Sequence, residues 1–232
     1  MCGRVYLKST LAQMVRAFSF ADADGVRSLD NALPRYNGAP RQFYPIIVRS
    51  ELMKGTSHFV SAQWGLVPSW SKDGGKGGRP PPINARAETI STNGLFRRPY
   101  ASKRCLIPID GFFEWKDIHG SGKDKQPYAI AMKDGTPFAL AGIYDEWRNP
   151  ETGEDLTTFC VVTCEPNEMM ATIHDRMPVI LDPKDYGRWV GDDADPSDLM
   201  KPFPAERMTM WPIDRKVGNV RNNTPDLLDP AG

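Results

Sequence analysis

Long hydrophobic runs are missing from the 232-residue chain. None approaches the ~20 apolar residues that cross a bilayer as a helix, so no membrane span is expected. The N-terminus lacks a basic stretch followed by an apolar one, so export is not expected and the expected compartment is the cytoplasm. Cysteine is scarce: Cys2, Cys105, Cys160 and Cys164. None forms a CxxC pair, which argues against both a disulfide scaffold and structural zinc. With only 3 histidines as well, no metal and no cofactor are expected.

Net charge is also missing, but only as a total. Residues 1–116 carry 17 Lys and Arg against 8 Asp and Glu; residues 117–232 carry 12 against 21. If the halves stay apart in space, the basic one suits an anionic ligand. If they interleave, the charges mix. The sequence leaves both open.

What is present reads mainly as strands. Val5 and Tyr6 suggest one near the start, and residues 43–48 and 59–64 two more. Further strands are predicted at 105–109, 112–116, 128–132, 138–144, 158–163 and 208–212. Ser9 and Thr10 suit the cap of a helix through Phe18, with Leu11, Met14 and Val15 at helical spacing. Short helices are predicted after Pro166, to about Ile173, and after Pro183, carrying Tyr186, Trp189 and Val190. Residues 71–82 hold four glycines and three consecutive prolines, which predicts a mobile surface loop. The polar tail from Gly218 is expected to fray. These patterns predict an α+β protein: a single compact domain with a strongly bent, barrel-like mixed sheet and a few short flanking helices.

Cys2 carries the most chemical information. If Met1 is removed, its α-amine and thiol sit on adjacent carbons, with reference pKa values of about 7.7–8.0 and 8.5. Such a 1,2-aminothiol condenses with an aldehyde to an imine and then closes a thiazolidine ring, a step favoured because it is intramolecular. An ordinary buried cysteine would look the same in sequence. In Ile83-Asn84-Ala85-Arg86-Ala87-Glu88-Thr89, strand alternation would put Asn84, Arg86 and Glu88 on one face. Glu114 lies among aromatics in Gly111-Phe112-Phe113-Glu114-Trp115-Lys116, where an apolar setting raises a carboxyl pKa; an outward-facing Glu is the alternative. His174, in Ile173-His174-Asp175-Arg176-Met177-Pro178, suits proton transfer or a helix C-terminus equally. Trp70 and the Phe96-Arg97-Arg98-Pro99-Tyr100 cluster combine aromatics with cations, a pairing that binds single-stranded nucleic acid.

Together with Met1-Cys2-Gly3-Arg4, Tyr36-Asn37-Gly38-Ala39-Pro40, Trp64-Gly65-Leu66-Val67-Pro68 and Val217-Gly218-Asn219-Val220, these segments resemble the SRAP family (SOS response-associated peptidase). They occur in family order over nearly the whole chain. The resemblance implies a barrel-like α+β fold whose basic cleft binds single-stranded DNA containing abasic sites. It implies that Met1 is lost by autoproteolysis and that Cys2 traps the ring-opened abasic aldehyde as a thiazolidine crosslink, which shields the lesion in the DNA damage response. By resemblance, Cys2 is the nucleophile, Asn84 orients the amine, Glu114 shuttles protons and His174 assists sugar opening. Arg4, Arg86 and Arg176 are implied phosphate ligands, with Arg97 and Arg98 as helpers. Asn37, Thr163 and Trp70 are placed with the DNA-binding set. This sequence has Ser71 where some members have a second aromatic after Trp70. A monomer, associated with the nucleoid when bound, is expected. Two rivals remain: a cysteine peptidase or amidohydrolase with an N-terminal nucleophile, and a non-catalytic single-stranded-DNA-binding module.

Overall fold

The computed structural model describes residues 2–50, 55–78, 80–191 and 193–231. Met1, and Arg79 in the 71–82 stretch, lie outside the described residues.

In chain order the strands begin with β1 (Val5–Leu7), β2 (Arg35–Gly38), β3 (Phe43–Ser50) and β4 (Thr56–Trp64). Next come β5 (Asn84–Arg86), β6 (Arg104–Ile109), β7 (Gly111–Asp117) and β8 (Lys125–Met132). The long β9 (Phe138–Arg148) and β10 (Asp155–Cys164) precede three short strands: β11 (Met177–Pro178), β12 (Ile180–Leu181) and β13 (Met208–Pro212). The helices are α1 (Leu11–Ala17), α2 (Arg97–Ser102) and α3 (Tyr186–Val190).

Five strands close a barrel. β4, β3, β6 and β9 pair antiparallel in that order, and β10 pairs antiparallel with β9. β10 then meets β4 in parallel, at Thr158↔Gln63 and Phe159↔Trp64, which seals the ring and makes it mixed. Ile46, Phe59, Leu106, Leu140 and Phe159 are all fully or almost fully buried within these strands. Each such side chain contributes about 1.5–3 kcal/mol relative to exposure. β6 is buried along its whole length because α2 and α3 cover it. Arg104 fastens that cover by donating from Nε to Trp189 O and from Nη2 to Gly191 O.

A second sheet, in the order β13-β8-β7-β1-β2, is joined to the barrel through Asp110 between β6 and β7. Asp110 accepts from the Ser9 amide and hydroxyl at 3.0 and 2.7 Å, so it also fixes the entry to α1. Thr10 caps that helix in a reciprocal box with Gln13. β1 lies against β7 so tightly that a Cβ on Gly111 would sit 2.3 Å from the Tyr6 ring. This close approach requires glycine there, and it brings the first residues of the chain alongside Glu114.

Three expectations are corrected. The helix after Pro166 is only a 3-10 turn, Met170–Thr172. Asn167 accepts from the Met170 amide and donates to Phe203 O, local bonds that compete with a longer helix. The loop at 71–82 is anchored: the Trp147 indole N–H donates to Ser71 O at 2.7 Å, and Gly74 packs against the same ring. The tail is docked rather than frayed. Leu227 is buried, Trp211 donates to Leu228 O, and the Ala231 amide donates to Pro212 O. The two halves of the chain share both sheets: β4, β3 and β6 adjoin β9 and β10 in the barrel, and β2, β1 and β7 adjoin β8 and β13 in the second sheet.

Candidate functional site

Cys2 is fully buried. Its carbonyl accepts a hydrogen bond from Asn84 Nδ2 at 2.9 Å. Asn84 reaches it because β5 runs parallel to β10, pairing Val161↔Asn84 and Thr163↔Arg86. Asn84 Oδ1 is buried without a partner among the described residues. An acceptor left open beside the start of the chain suits a terminal amine.

Glu114 comes from β7, opposite Tyr128 on β8, and is 3% exposed. The Phe113 amide donates to Arg4 O at 2.9 Å, which carries the β1–β7 pairing toward residue 2. Burial pushes the Glu114 carboxyl above the usual range. Burial, reinforced by the Glu114 carboxylate, pushes the Cys2 thiol far up. The reference thiol pKa used in reading the sequence therefore does not apply: in this setting the sulfur is a neutral thiol at neutral pH.

His174 follows the 3-10 turn. Its Nδ1 accepts from the Arg176 amide at 3.0 Å. A neutral ring that accepts at Nδ1 carries its proton on Nε2. Asp175 Oδ1 also lies 3.0 Å from Nδ1, but Nδ1 has no hydrogen to give it in this tautomer.

The structure thus gathers Cys2, Asn84, Glu114 and His174 from four distant stretches of chain. The arginines differ in their situations. Arg86 is exposed at the end of β5, and Arg97 and Arg98 are exposed on α2. Arg176 donates from Nη2 to Thr163 O at 2.7 Å and forms a two-pronged ion pair with Glu88 at 2.5 and 2.9 Å. Glu88 does not continue the β5 face as alternation suggested; it sits on the 3-10 turn Ala87–Thr89. Thr163 is buried between β5 and β11. Trp70 is 65% exposed, and its neighbours hold it out: the Ser69 amide donates to Asp145 Oδ2 and Ser71 O accepts from Trp147.

Arg4 and Asn37 do different work. Arg4 Nη1 donates to Asn37 Oδ1 and to Val217 O, and its guanidinium lies 5.6 Å from the Trp115 ring centre. Asn37 is 1% exposed, and its Nδ2 serves the carbonyls of Val217, Asn219 and Asn222. Its side chain is spent on latching the tail. Asn37→Ala is expected to cost about 2–3 kcal/mol in urea unfolding, because buried acceptors lose their donor. Trp115, Asp145 and Trp147 were not singled out from sequence, and Glu88 was read only as sharing a strand face with Asn84 and Arg86. Only spatial pairing reveals their contacts, although Trp115 lies inside a motif that was singled out.

A cavity of about 1020 Å³ lies elsewhere, between the 71–82 loop and β10. Trp64, Trp147, Arg41 and Glu154 line it, and none of the gathered residues does. Chemistry rather than volume marks the site.

A mixed five-stranded barrel that buries a position-2 cysteine against Asn84, with Glu114 and His174 beside it, defines a class of proteins built around the start of their own chain. The model of the SOS response associated peptidase (SRAP) family matches residues 1–220, and the chain belongs to that family. It is 37% identical over 233 residues to the abasic site processing protein YoqW of Bacillus subtilis, covering 99% of both chains. It is 30% identical over 264 residues to the abasic site processing protein HMCES of Gallus gallus, covering 99% of this chain and 78% of the other. A crystal structure of a protein from Bacteroides thetaiotaomicron superposes with a TM-score of 0.85 at 30% identity, over 99% of this chain and all of the other.

Proposed function

We propose that the protein processes abasic sites in single-stranded DNA by covalent capture on Cys2. The observation that carries this reading is the meeting of Cys2, Asn84 and a buried Glu114 whose carboxyl pKa burial raises. The names of the relatives support the substrate class.

Autoproteolysis removes Met1, and the new amine is oriented by Asn84 Oδ1. His174 Nε2–H gives its proton to the sugar ring oxygen and Nε2 takes one back from the C1 hydroxyl as the closed sugar opens to its aldehyde. Glu114 takes a proton from the terminal ammonium, and the free amine adds to the aldehyde carbon. Glu114 returns that proton to the departing hydroxyl, water leaves, and an imine remains. The thiol then adds to the imine carbon and its proton ends on nitrogen, closing the thiazolidine. A neutral thiol suits this last step because it brings both the sulfur and the proton. The net change is the loss of one water.

Intact mass spectrometry after mixing with an abasic single-stranded oligonucleotide tests this. The expected species is the Met1-less protein plus the oligonucleotide less one water. Turnover of peptides without DNA would instead favour the amidohydrolase reading. The protein acts as a monomer in the cytoplasm on this reading. The exposed Arg86, Arg97 and Arg98 supply phosphate contacts, with Trp70 as a stacking surface. Arg86→Ala should weaken binding to all single strands alike. It should also make the log–log salt slope shallower by about 0.7, one phosphate contact, measured by anisotropy.

A further inference from the structure

Arg176 does not present an open guanidinium. Its two terminal nitrogens hold the Glu88 carboxylate, at 2.5 Å to Oε1 and 2.9 Å to Oε2. This is the planar two-bond geometry with which arginine also grips a phosphate. The Arg176 side chain is only 14% exposed and is anchored by Thr163 O, so it has little freedom to turn elsewhere. Glu88 is the movable partner: its side chain is 52% exposed, on a short turn. The exposed Arg86 lies two residues before Glu88, and its charge is felt at that carboxylate. One anion therefore occupies a place framed by two cations. The Arg176 Nε is buried without a partner among the described residues, so the guanidinium is incompletely satisfied as it stands.

We propose that Glu88 is a specificity-determining residue, an internal stand-in for a DNA phosphate that keeps the Arg176 fork closed until a strand displaces it. A strand must break a charge-assisted pair before it gains one. This handicaps loose association with undamaged DNA. At an abasic site the covalent step pulls the equilibrium over, so the handicap falls mainly on strands without a lesion. The inference rests on the DNA-binding part of the proposed function and not on the crosslinking chemistry.

The test is anisotropy with an undamaged single-stranded oligonucleotide over a salt series. Glu88→Gln should bind about three- to fivefold tighter than the unchanged protein, the scale of one partly exposed ion pair. Glu88→Ala, which leaves no amide to be buried, should show the same gain. In an Arg176→Gln background the gain should vanish, whereas a general field effect of the lost charge would persist. The proposal is overturned if neither Glu88 variant binds more tightly, or if the gain survives without Arg176. Undamaged DNA needs no Cys2, so failure to crosslink leaves this experiment intact. Intact crosslinking with no Glu88 effect removes the gate alone.

Discussion

Cys2→Ala should retain single-stranded DNA binding and form no heat-stable adduct with an abasic strand. In the proposed function the phosphate contacts come from arginines on β5, α2 and the approach to β11, none of which the substitution touches. What disappears is the second nucleophile. An alanine amine still forms an imine, but nothing follows to close the ring, and an imine hydrolyses. Intramolecular closure is worth an effective concentration of up to about 10⁵–10⁸ M, so the loss should be complete on a denaturing gel. Borohydride should restore a band for Cys2→Ala by reducing the imine, which separates loss of the thiol from loss of binding. If the untreated alanine variant gives as much heat-stable adduct as the unchanged protein, sulfur has no part in the reaction.

The second large effect is expected at Glu114. Replacing it with Gln keeps the shape and removes the proton exchange. Crosslinking should slow by about 10²–10⁴-fold, the usual contribution of a positioned acid–base group, with DNA affinity unchanged. The pH dependence carries a sign. Because burial raises the Glu114 pKa, the carboxylate needed to accept the ammonium proton forms only above the ordinary carboxyl range of about 4.3. The rate should therefore climb with pH through that raised value, and this limb should be lost in Glu114→Gln. Stability runs the other way. An acid whose pKa is raised on folding binds protons better when folded, so the protein loses stability as pH rises from the unfolded value through the folded one. Glutamine mimics the protonated acid, so above that window the variant should melt no lower than the unchanged protein. A lower melting temperature would assign the lost rate to misfolding.

Much of the sheet was legible because its strands pack on both sides. The apolar stretches at 105–109, 138–144 and 158–163 became β6, β9 and β10, the staves of the barrel. Closure was not legible: it depends on the two-residue parallel seam between β4 and β10, which no local pattern encodes. Nor were the turns. Residues 24–32 form a 3-10 helix, Asp24–Ala32, in a stretch that reads only as polar and turn-rich. α2 was missed because Pro99 sits inside a six-residue helix. The candidate site was legible residue by residue through motifs, and its pairings were not. Asn84 meets Cys2 across 82 positions and Arg176 meets Glu88 across 88. Alternation on a strand placed Glu88 beside Arg86, but the 3-10 turn lifts it away to Arg176. Arg4 and Asn37, placed with the DNA by resemblance, bind the chain's own carbonyls in the structure.

That last contact joins the two extremities of the polypeptide. Val217 O receives both Arg4 and Asn37, and Arg4 stands two positions from Cys2. Trimming from the carboxyl end past Val217 would thus slacken the anchorage of Cys2 at the opposite end, without touching any reacting group. A bulky fusion placed on the tail would pull on the same tether, so an affinity handle belongs at neither terminus.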